Sequence, residues 1–161
     1  MFVRHPPFLI VKILRLYISP GHNFYGHHEK PPGRHETVEV PSIECVAGRG
    51  VRGDRFFDFK EDYKGQITFF ANEVYESLCE KFHVADRDPG VFRRNVITHG
   101  VDLNTLIGRE FEVQGVRFGG VSECSPCHWM NRSFCDGAEA ALHGQGGLRA
   151  RILSDGVLTV D

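Results

Sequence analysis

The sequence has 161 residues, of which 41% are apolar and 25% are charged, and this balance fits one folded domain rather than a disordered chain. The formal net charge of −2 lacks the basic excess of nucleic-acid-binding proteins, so we expect no nucleic-acid partner. An apolar run near the start, Phe8 to Leu14, is interrupted by Lys12 and lacks an export cleavage site, so we expect a single cytoplasmic domain over residues 1–161 without membrane contact.

The first half of the chain predicts three strands and one clear helix. β-Branched and apolar residues indicate strands over Phe8–Ile18, over Glu36–Cys45 with an interruption at Pro41, and over Gln66–Phe70. Asn72 is predicted to cap the helix that follows. One face of that helix is apolar at helical spacing and consists of Val74, Tyr75, Leu78, Cys79 and Phe82.

A strand over Asn95–His99 is flanked by two predicted short helices. The first begins at Asp88-Pro89, where an acidic cap precedes a proline at the first helical position. The second covers Asp102–Gly108. A third short helix is predicted by Asp136 and Glu139, which have the spacing of a capping box.

Two hairpins are predicted near the end of the chain, with turns at Gln114-Gly115 and Asp155-Gly156. Strands therefore outnumber helices. We expect a mainly β fold with a few short helices, arranged as a closed or nearly closed barrel, because closure removes strand edges that would otherwise pair with other chains.

The stretch Glu123–Met130 is the most informative for chemistry, since it contains a Cys-x-x-Cys pair, Cys124 and Cys127. The thiolate is the reactive form of cysteine, and nearby cations lower the pKa of a thiol. His128 and Arg132 are placed to act on Cys127 in this way. Pro126 fixes one backbone angle and so holds Cys127 in a defined direction.

Four roles for this pair remain open on the residues alone. A thioredoxin-type dithiol requires a βαβ setting that the pattern lacks. A structural zinc site has candidate ligands, but a second Cys-x-x-Cys is missing. The thiols can also be inert core residues, or Cys127 can be a reactive or metal-ligating group. The candidate zinc ligands are Cys124, Cys127 and Cys135, with His128 or His143.

Arginines beside glycines suggest a site for a small anion. Residues 48–55 contain G-x-G-x-x-G, but no helical pattern follows it, so a Rossmann nucleotide site is not expected. The same segment, with its three arginines, forms either an anion cradle or a solvated turn. Arg93-Arg94-Asn95 offers guanidinium and amide donors. Arg149 and Arg151 share one face of a predicted strand, which points either to solvent or to the site.

A polar loop between the first two predicted strands contains four histidines, His22, His27, His28 and His35. Imidazoles in this number suit Zn²⁺ or Ni²⁺. No helical spacing or carboxylate fixes their geometry, so a solvated loop is the favoured interpretation.

The order of several short motifs resembles the MOSC domain, which occurs in molybdenum cofactor sulfurases, amidoxime-reducing components and small stand-alone bacterial proteins. The resemblance covers roughly residues 38–160. The motifs are Gly53-Asp54-Arg55, the strand at Gln66-Ile67-Thr68, Arg93-x-Asn95, the segment Gly100–Asn104, and Ser125-Pro126-Cys127.

The resemblance implies a β-barrel with one essential cysteine, which maps onto Cys127. It implies that Cys127 is a persulfide carrier or a molybdenum ligand, and that Arg93 and Asn95 bind the molybdenum cofactor (molybdopterin). Gly53, Asp54 and Arg55 of the Gly-Asp-Arg element are further cofactor-binding candidates. Cys124 is an addition to the family pattern, and either resolves a Cys127 persulfide into a disulfide or packs in the core.

Partners and alternatives follow from the same resemblance. The pyridoxal-phosphate-dependent desulfurase domain is not in this chain, so we expect no pyridoxal phosphate on it. The sulfur donor would then be a separate cysteine desulfurase, and the acceptor a molybdoenzyme or the cofactor itself. The alternatives are a molybdenum-dependent reductase of N-hydroxylated compounds and a zinc-binding or structural module without catalysis.

Overall fold

The structure, a computed structural model, describes residues 11–21 and 36–161. The strands in these ranges are β1 (Lys12–Ile18), β2 (Val38–Val40), β3 (Ser42–Val46), β4 (Gly50–Val51), β5 (Ile67–Ala71), β6 (Val96–His99), β7 (Glu110–Val113), β8 (Val116–Glu123), β9 (Leu148–Ile152) and β10 (Gly156–Thr159). The helices are α1 (Asn72–Phe82), α2 (Trp129–Ser133) and α3 (Ala138–Ala141), with 3₁₀ turns at Pro89–Phe92 and Leu103–Leu106. Among these described residues, no helix is both long enough and apolar enough to cross a bilayer. The histidine-rich loop that contains His22, His27, His28 and His35 lies outside the described residues.

Two sheets organise the fold. The larger has the strand order β2-β1-β6-β5-β9-β8-β7, and the smaller has the order β10-β3-β4. Neighbouring strands are antiparallel except β5 and β6, which are parallel and are connected through α1. The prediction of a mainly β fold with short helices is confirmed. A closed barrel is not found within the described residues, since β2 and β7 end the larger sheet without pairing to each other.

The sheets enclose one core, and the helices cover a second. Side chains of consecutive strand residues point to opposite faces. Phe69 and Val96 therefore join the core between the two sheets, whereas Phe70 and Ile97 pack under the helices. The predicted apolar face of α1 lies in this second cluster, so that prediction is confirmed.

Two of the predicted breaks are confirmed. Pro41 separates β2 from β3, and the two strands join different sheets. The turn at Gln114-Gly115 connects β7 to β8 with positive φ angles of 50° and 82°, as a two-residue hairpin requires.

The predicted hairpin across Asp155-Gly156 is wrong. Strand β9 pairs with β5 and β8 on its two sides, so no edge remains for the strand that follows. Strand β10 pairs instead with β3. The Asp155 carboxylate accepts a hydrogen bond from the Ala47 amide at 2.7 Å, and so the turn is joined to the smaller sheet.

Both predicted side-chain caps on α-helices are also wrong. Ala71, and not Asn72, is the residue that precedes α1. The side-chain amide of Asn72 donates to the Glu76 carboxylate within the helix at 3.1 Å. Gly137 precedes α3 and provides no side-chain cap. The Asp88 cap of the first 3₁₀ turn is confirmed, because its carboxylate accepts from the Gly90 amide at 2.8 Å.

Strand β1 is paired with a residue far along the chain. The Ile13 amide donates to the Asp161 carboxylate at 2.6 Å, and the Asp161 amide donates to the Ile13 carbonyl at 2.9 Å. The two residues are separated by 148 positions.

Candidate functional site

A cavity of about 270 Å³ brings together the cysteine pair and the arginines that the sequence singled out. It lies where β5, β9, the segment before β6 and the loop between β8 and α2 meet. The residues that line it include Arg55, Thr68, Arg93, Arg94, Cys124, Cys127 and Arg149. Among the described residues, every charged side chain that lines the cavity is an arginine, so the lining is suited to an anion.

The loop that carries the two thiols is fixed at both ends. Strand β8 ends at Glu123, and the Cys124 amide then donates to the Gly147 carbonyl at 2.7 Å. At the other end the Met130 amide donates to the Cys127 carbonyl at 2.9 Å, at the start of α2. Cys124 is buried, whereas Cys127 is half-buried at the cavity. Cys127 is therefore the more accessible thiol.

Burial is the main influence on the Cys127 thiol, and it raises the pKa above the ordinary value for cysteine. The Trp129 amide, which hydrogen-bonds to the sulfur, and the charge of Arg94 both lower this pKa. Glu139 and Cys124 act in the raising direction. The expectation that the local field lowers the pKa of this thiol is therefore wrong in its net direction, because burial outweighs the favourable charges.

The main cation that lowers the pKa of this thiol is Arg94, rather than the His128 and Arg132 that the sequence suggested. His128 lies 4.0 Å from the carboxylate of Glu139, and Arg132 is exposed. Arg94 takes their place. The sequence contained this residue in the Arg-Arg-Asn motif but offered no sign that it reaches a loop thirty residues away.

Arg94 is buried, and each of its three guanidinium nitrogens donates a hydrogen bond to a main-chain oxygen. It donates to the carbonyl of Gly146 at 3.0 Å, of Phe92 at 3.1 Å and of Cys124 at 3.3 Å. Planar guanidinium groups suit such multiple acceptors because their donors are fixed in one fork. The side chain thus ties the thiol loop to two other segments.

Arg93 and Arg55 also line the cavity, and they contact each other. Arg93 adopts a left-handed backbone, with φ of 61°, and donates to Ser19 Oγ at 2.6 Å and to the Gly21 carbonyl. Arg55 donates to the Arg93 carbonyl at 3.2 Å and forms an ion pair with Asp54 at 3.3 Å. Burial, followed by the repulsion of Arg55, lowers the pKa of Arg93 to about 10, so Arg93 remains charged at neutral pH.

Three predicted site residues lie behind the cavity rather than on its surface. Asn95 accepts from the Thr68 amide at 3.0 Å and hydroxyl at 3.2 Å, and donates to the Tyr17 carbonyl at 3.2 Å. Asp54 is buried and accepts from the Ser19 amide at 2.9 Å. Gly53 provides a turn with φ of 83°. Their positions favour an indirect role, in which they hold Thr68 and Arg55 at the cavity.

The two arginines of β9 have different surroundings. Arg149 lies opposite Thr68 of β5 and lines the cavity, while its neighbours Leu148 and Ala150 point into the core. Arg151 pairs with Asp62 at 2.9 Å and does not line the cavity. The sequence left open whether these arginines point to solvent or to the site. Arg149 lines the cavity, whereas Arg151 does not.

The donor set does not resemble a zinc site. Within residues 11–21 and 36–161, no three His, Cys, Asp or Glu side chains come together as metal ligands. The predicted group of Cys124, Cys127, Cys135 and His128 or His143 is therefore not assembled. The lining instead combines two thiols, of which Cys127 is the more accessible, with four guanidinium groups.

Comparison with known proteins gives a family and a fold. The family model described as the MOSC domain matches residues 49–161. No curated protein sequence matches the chain significantly. Among solved structures, the YuaD protein of Bacillus subtilis superposes with a TM-score of 0.70 at 18% identity, over 93% of this chain and 91% of that one.

Two further structures share the fold. YiiM of Geobacillus stearothermophilus has a TM-score of 0.65 at 15% identity, over 92% of this chain and 71% of its own. YiiM of Escherichia coli has a TM-score of 0.59 at 18% identity, over 92% of this chain and 67% of its own. At these identities the likeness establishes the fold alone.

Proposed function

The chain belongs to the MOSC domain family, and we propose that it acts in molybdenum cofactor chemistry through one thiol, Cys127. In this proposal Cys127 carries a sulfane sulfur as a persulfide from a separate cysteine desulfurase to the cofactor or to a molybdoenzyme. The supporting observation is its position, half-buried in a cavity whose charged lining, among the described residues, is arginine alone.

The residues of the cavity fit the family's cofactor. Molybdopterin carries a phosphate, and guanidinium groups bind phosphate through paired donors. Arg55 and Arg93 would hold this anionic part, and Cys127 would supply one soft thiolate of the kind that molybdenum accepts. When bound, the cofactor would supply redox chemistry at the metal. The same cavity therefore suits a carrier that delivers sulfur to the cofactor.

Loading of Cys127 needs no oxidant. The Cys127 thiolate attacks the outer sulfur of the donor persulfide, and a new sulfur–sulfur bond forms as the donor's own bond breaks. The donor leaves as a thiolate, and Cys127 gains one sulfur atom. Attack of an acceptor on that outer sulfur then returns Cys127 to its thiolate.

The protein's part is to hold negative charge at Cys127 during both steps. The Trp129 amide hydrogen-bonds to this sulfur, and the charge of Arg94 also favours its ionised form. Burial keeps the thiol protonated at rest, so the free protein would react slowly with general electrophiles. Reaction would then depend on a donor that fits the cavity.

The direct test is persulfide loading of the purified protein by a persulfidated cysteine desulfurase, read by mass spectrometry of the peptide that contains Cys127. We expect the wild-type peptide to gain the mass of one sulfur atom. Cys127→Ser should abolish the gain, whereas Cys124→Ser should keep it. Equal loading of wild type and Cys127→Ser, or no loading of the wild type, would overturn the proposal.

A second readout concerns the cofactor. Protein from molybdenum-replete cells should contain pterin and molybdenum when Arg55 and Arg93 are intact, and less when both are replaced by glutamine. Retention by the double variant would contradict the assignment of these residues.

A further inference from the structure

Arg149 differs from the other arginines of the cavity in its partners. Arg55, Arg93 and Arg94 each donate to protein acceptors. Among the described residues, no carboxylate, carbonyl or hydroxyl group accepts a hydrogen bond from the Arg149 guanidinium. It therefore offers a set of donors in the same cavity as Cys127.

Four guanidinium groups line the cavity, and no carboxylate among the described residues lines it. Asp54 is the carboxylate nearest Arg55, and it is already engaged by the Ser19 amide and by Arg55 itself. Removing charges from water is costly unless each finds an opposite charge. Several half-buried or buried guanidinium groups around one small space therefore favour an anionic ligand.

The cavity also has room for an anion much smaller than the molybdenum cofactor. This cavity has about 270 Å³, and Cys127 and Arg149 both line it. A ligand that contacts both residues at once can be a small oxyanion.

We propose that the cavity also accepts a small sulfane-sulfur oxyanion of the thiosulfate class as a direct sulfur donor, with its oxygens bound by Arg149 and its outer sulfur presented to Cys127. The inference rests on the proposed function in one respect, that Cys127 is the sulfur-accepting thiol. It adds a substrate class and a residue that selects it.

The transfer balances without a further reagent. The Cys127 thiolate attacks the outer sulfur of thiosulfate, a bond between these two sulfurs forms, and the original sulfur–sulfur bond breaks. Sulfite leaves with the bonding electron pair. The product is the Cys127 persulfide anion, and the total charge is unchanged. In an assay, cyanide then removes the outer sulfur as thiocyanate and restores the thiolate.

The first experiment measures the preference for an anion independently of sulfur chemistry. Iodoacetate and iodoacetamide alkylate the same thiol and differ in charge, so the ratio of their rates at Cys127 reports attraction by the cavity. The Cys124→Ser background removes the neighbouring thiol, and mass spectrometry of the peptide that contains Cys127 separates its label from label on Cys45, Cys79 and Cys135. Arg149→Gln should lower this ratio about tenfold, since a charge-assisted hydrogen bond to an anion is lost. Arg149→Lys should keep most of it.

The matched control is Arg151→Gln. Arg151 lies two residues along the same strand and is engaged by Asp62 outside the cavity. This variant should keep the wild-type ratio. An Arg149→Gln ratio equal to that of Arg151→Gln would overturn the role of Arg149.

The second experiment supplies thiosulfate and cyanide and measures sulfite and thiocyanate. We expect wild type and Arg151→Gln to form both products, Arg149→Gln to form them about tenfold more slowly, and Cys127→Ser to form none. If desulfurase persulfide loads Cys127 but thiosulfate does not, this inference fails and the proposed function stands. If neither donor loads Cys127, the proposed function fails.

Discussion

The Arg94 guanidinium donates a hydrogen bond to the main-chain carbonyl oxygen of Cys124 at 3.3 Å, across thirty positions of sequence. The same side chain reaches the Gly146 carbonyl at 3.0 Å. The loop that carries the thiols is therefore positioned by the segment before β6. The reactive group and the residue that orients its loop come from different parts of the fold.

Replacing Arg94 by methionine should affect both stability and reactivity. It leaves main-chain carbonyls without partners, each at a cost of about 1–3 kcal/mol if no water replaces the donor. It also removes a positive charge that lowers the pKa of Cys127. We expect a lower urea midpoint and a higher pH midpoint for Cys127 alkylation.

The control for that change is Arg132→Met, which removes an exposed arginine of α2. It should leave the alkylation profile and the urea midpoint close to wild type. A Cys127 alkylation midpoint equal to that of wild type in folded Arg94→Met protein would contradict the influence of Arg94 on the thiol.

The pH dependence of Cys127 follows from its raised pKa. Alkylation by iodoacetamide should rise with pH through a midpoint above that of free cysteine, because burial disfavours the thiolate. In terms of stability, the folded protein holds this proton more tightly than the unfolded chain. The contribution of the Cys127 thiol to the free energy of unfolding is complete below its pKa in the unfolded chain. It is lost as pH rises through its pKa in the folded protein. A midpoint below that of free cysteine would refute the assignment.

Gly146→Ala should disturb the thiol loop directly. A Cβ atom at Gly146 would lie 2.2 Å from the Cys124 carbonyl oxygen and 3.0 Å from Pro126 Cδ. The loop must move to remove this overlap, so we expect reduced stability and an altered rate of Cys127 alkylation. Thermal unfolding and alkylation kinetics measure the two effects.

A glycine with more space provides the comparison. A Cβ atom at Gly119 would meet Leu153 at 3.7 Å, which is ordinary contact. Gly119→Ala should keep the wild-type rate of alkylation. Equal effects of the two variants would argue against a specific role for the close approach at Gly146.

The pair Asn95 and Thr68 should behave as one unit. Asn95→Ala removes the acceptor of the Thr68 amide and hydroxyl, both of which are buried. We expect a loss of about 1–3 kcal/mol in the free energy of unfolding. The double variant with Thr68→Val should lose less than the sum of the single variants, since neighbours in one network are not additive. Additive losses by urea unfolding would show that the two side chains are not coupled.

Local patterns predicted most elements of this fold. Strand alternation, the α1 face and the Gln114-Gly115 turn depend on neighbours in sequence, and these predictions are confirmed. The Asp155-Gly156 hairpin is wrong because its outcome depends on which strands already flank β9. A turn motif carries no information about that competition.

Only part of the candidate site was predicted, because local sequence patterns do not report contacts between distant segments. Cys127, Arg93 and Arg55 belong to recognisable sequence motifs, and in the fold all three line one cavity. The engagement of Asn95 by Thr68 and the reach of Arg94 are long-range contacts, which spacing along the chain does not reveal. Arg149 and Arg151 lie on the same face of β9, so only their three-dimensional surroundings distinguish them.

The mutual hydrogen bonds of Ile13 and Asp161 have a consequence for biosynthesis. During translation β1 leaves the ribosome before residue 161, so this pairing cannot form until residue 161 has emerged. Contacts so distant in sequence slow folding, because the intervening chain must be ordered first. β1 is therefore incompletely paired until residue 161 emerges, and chaperone binding at that stage would protect it from association with other chains.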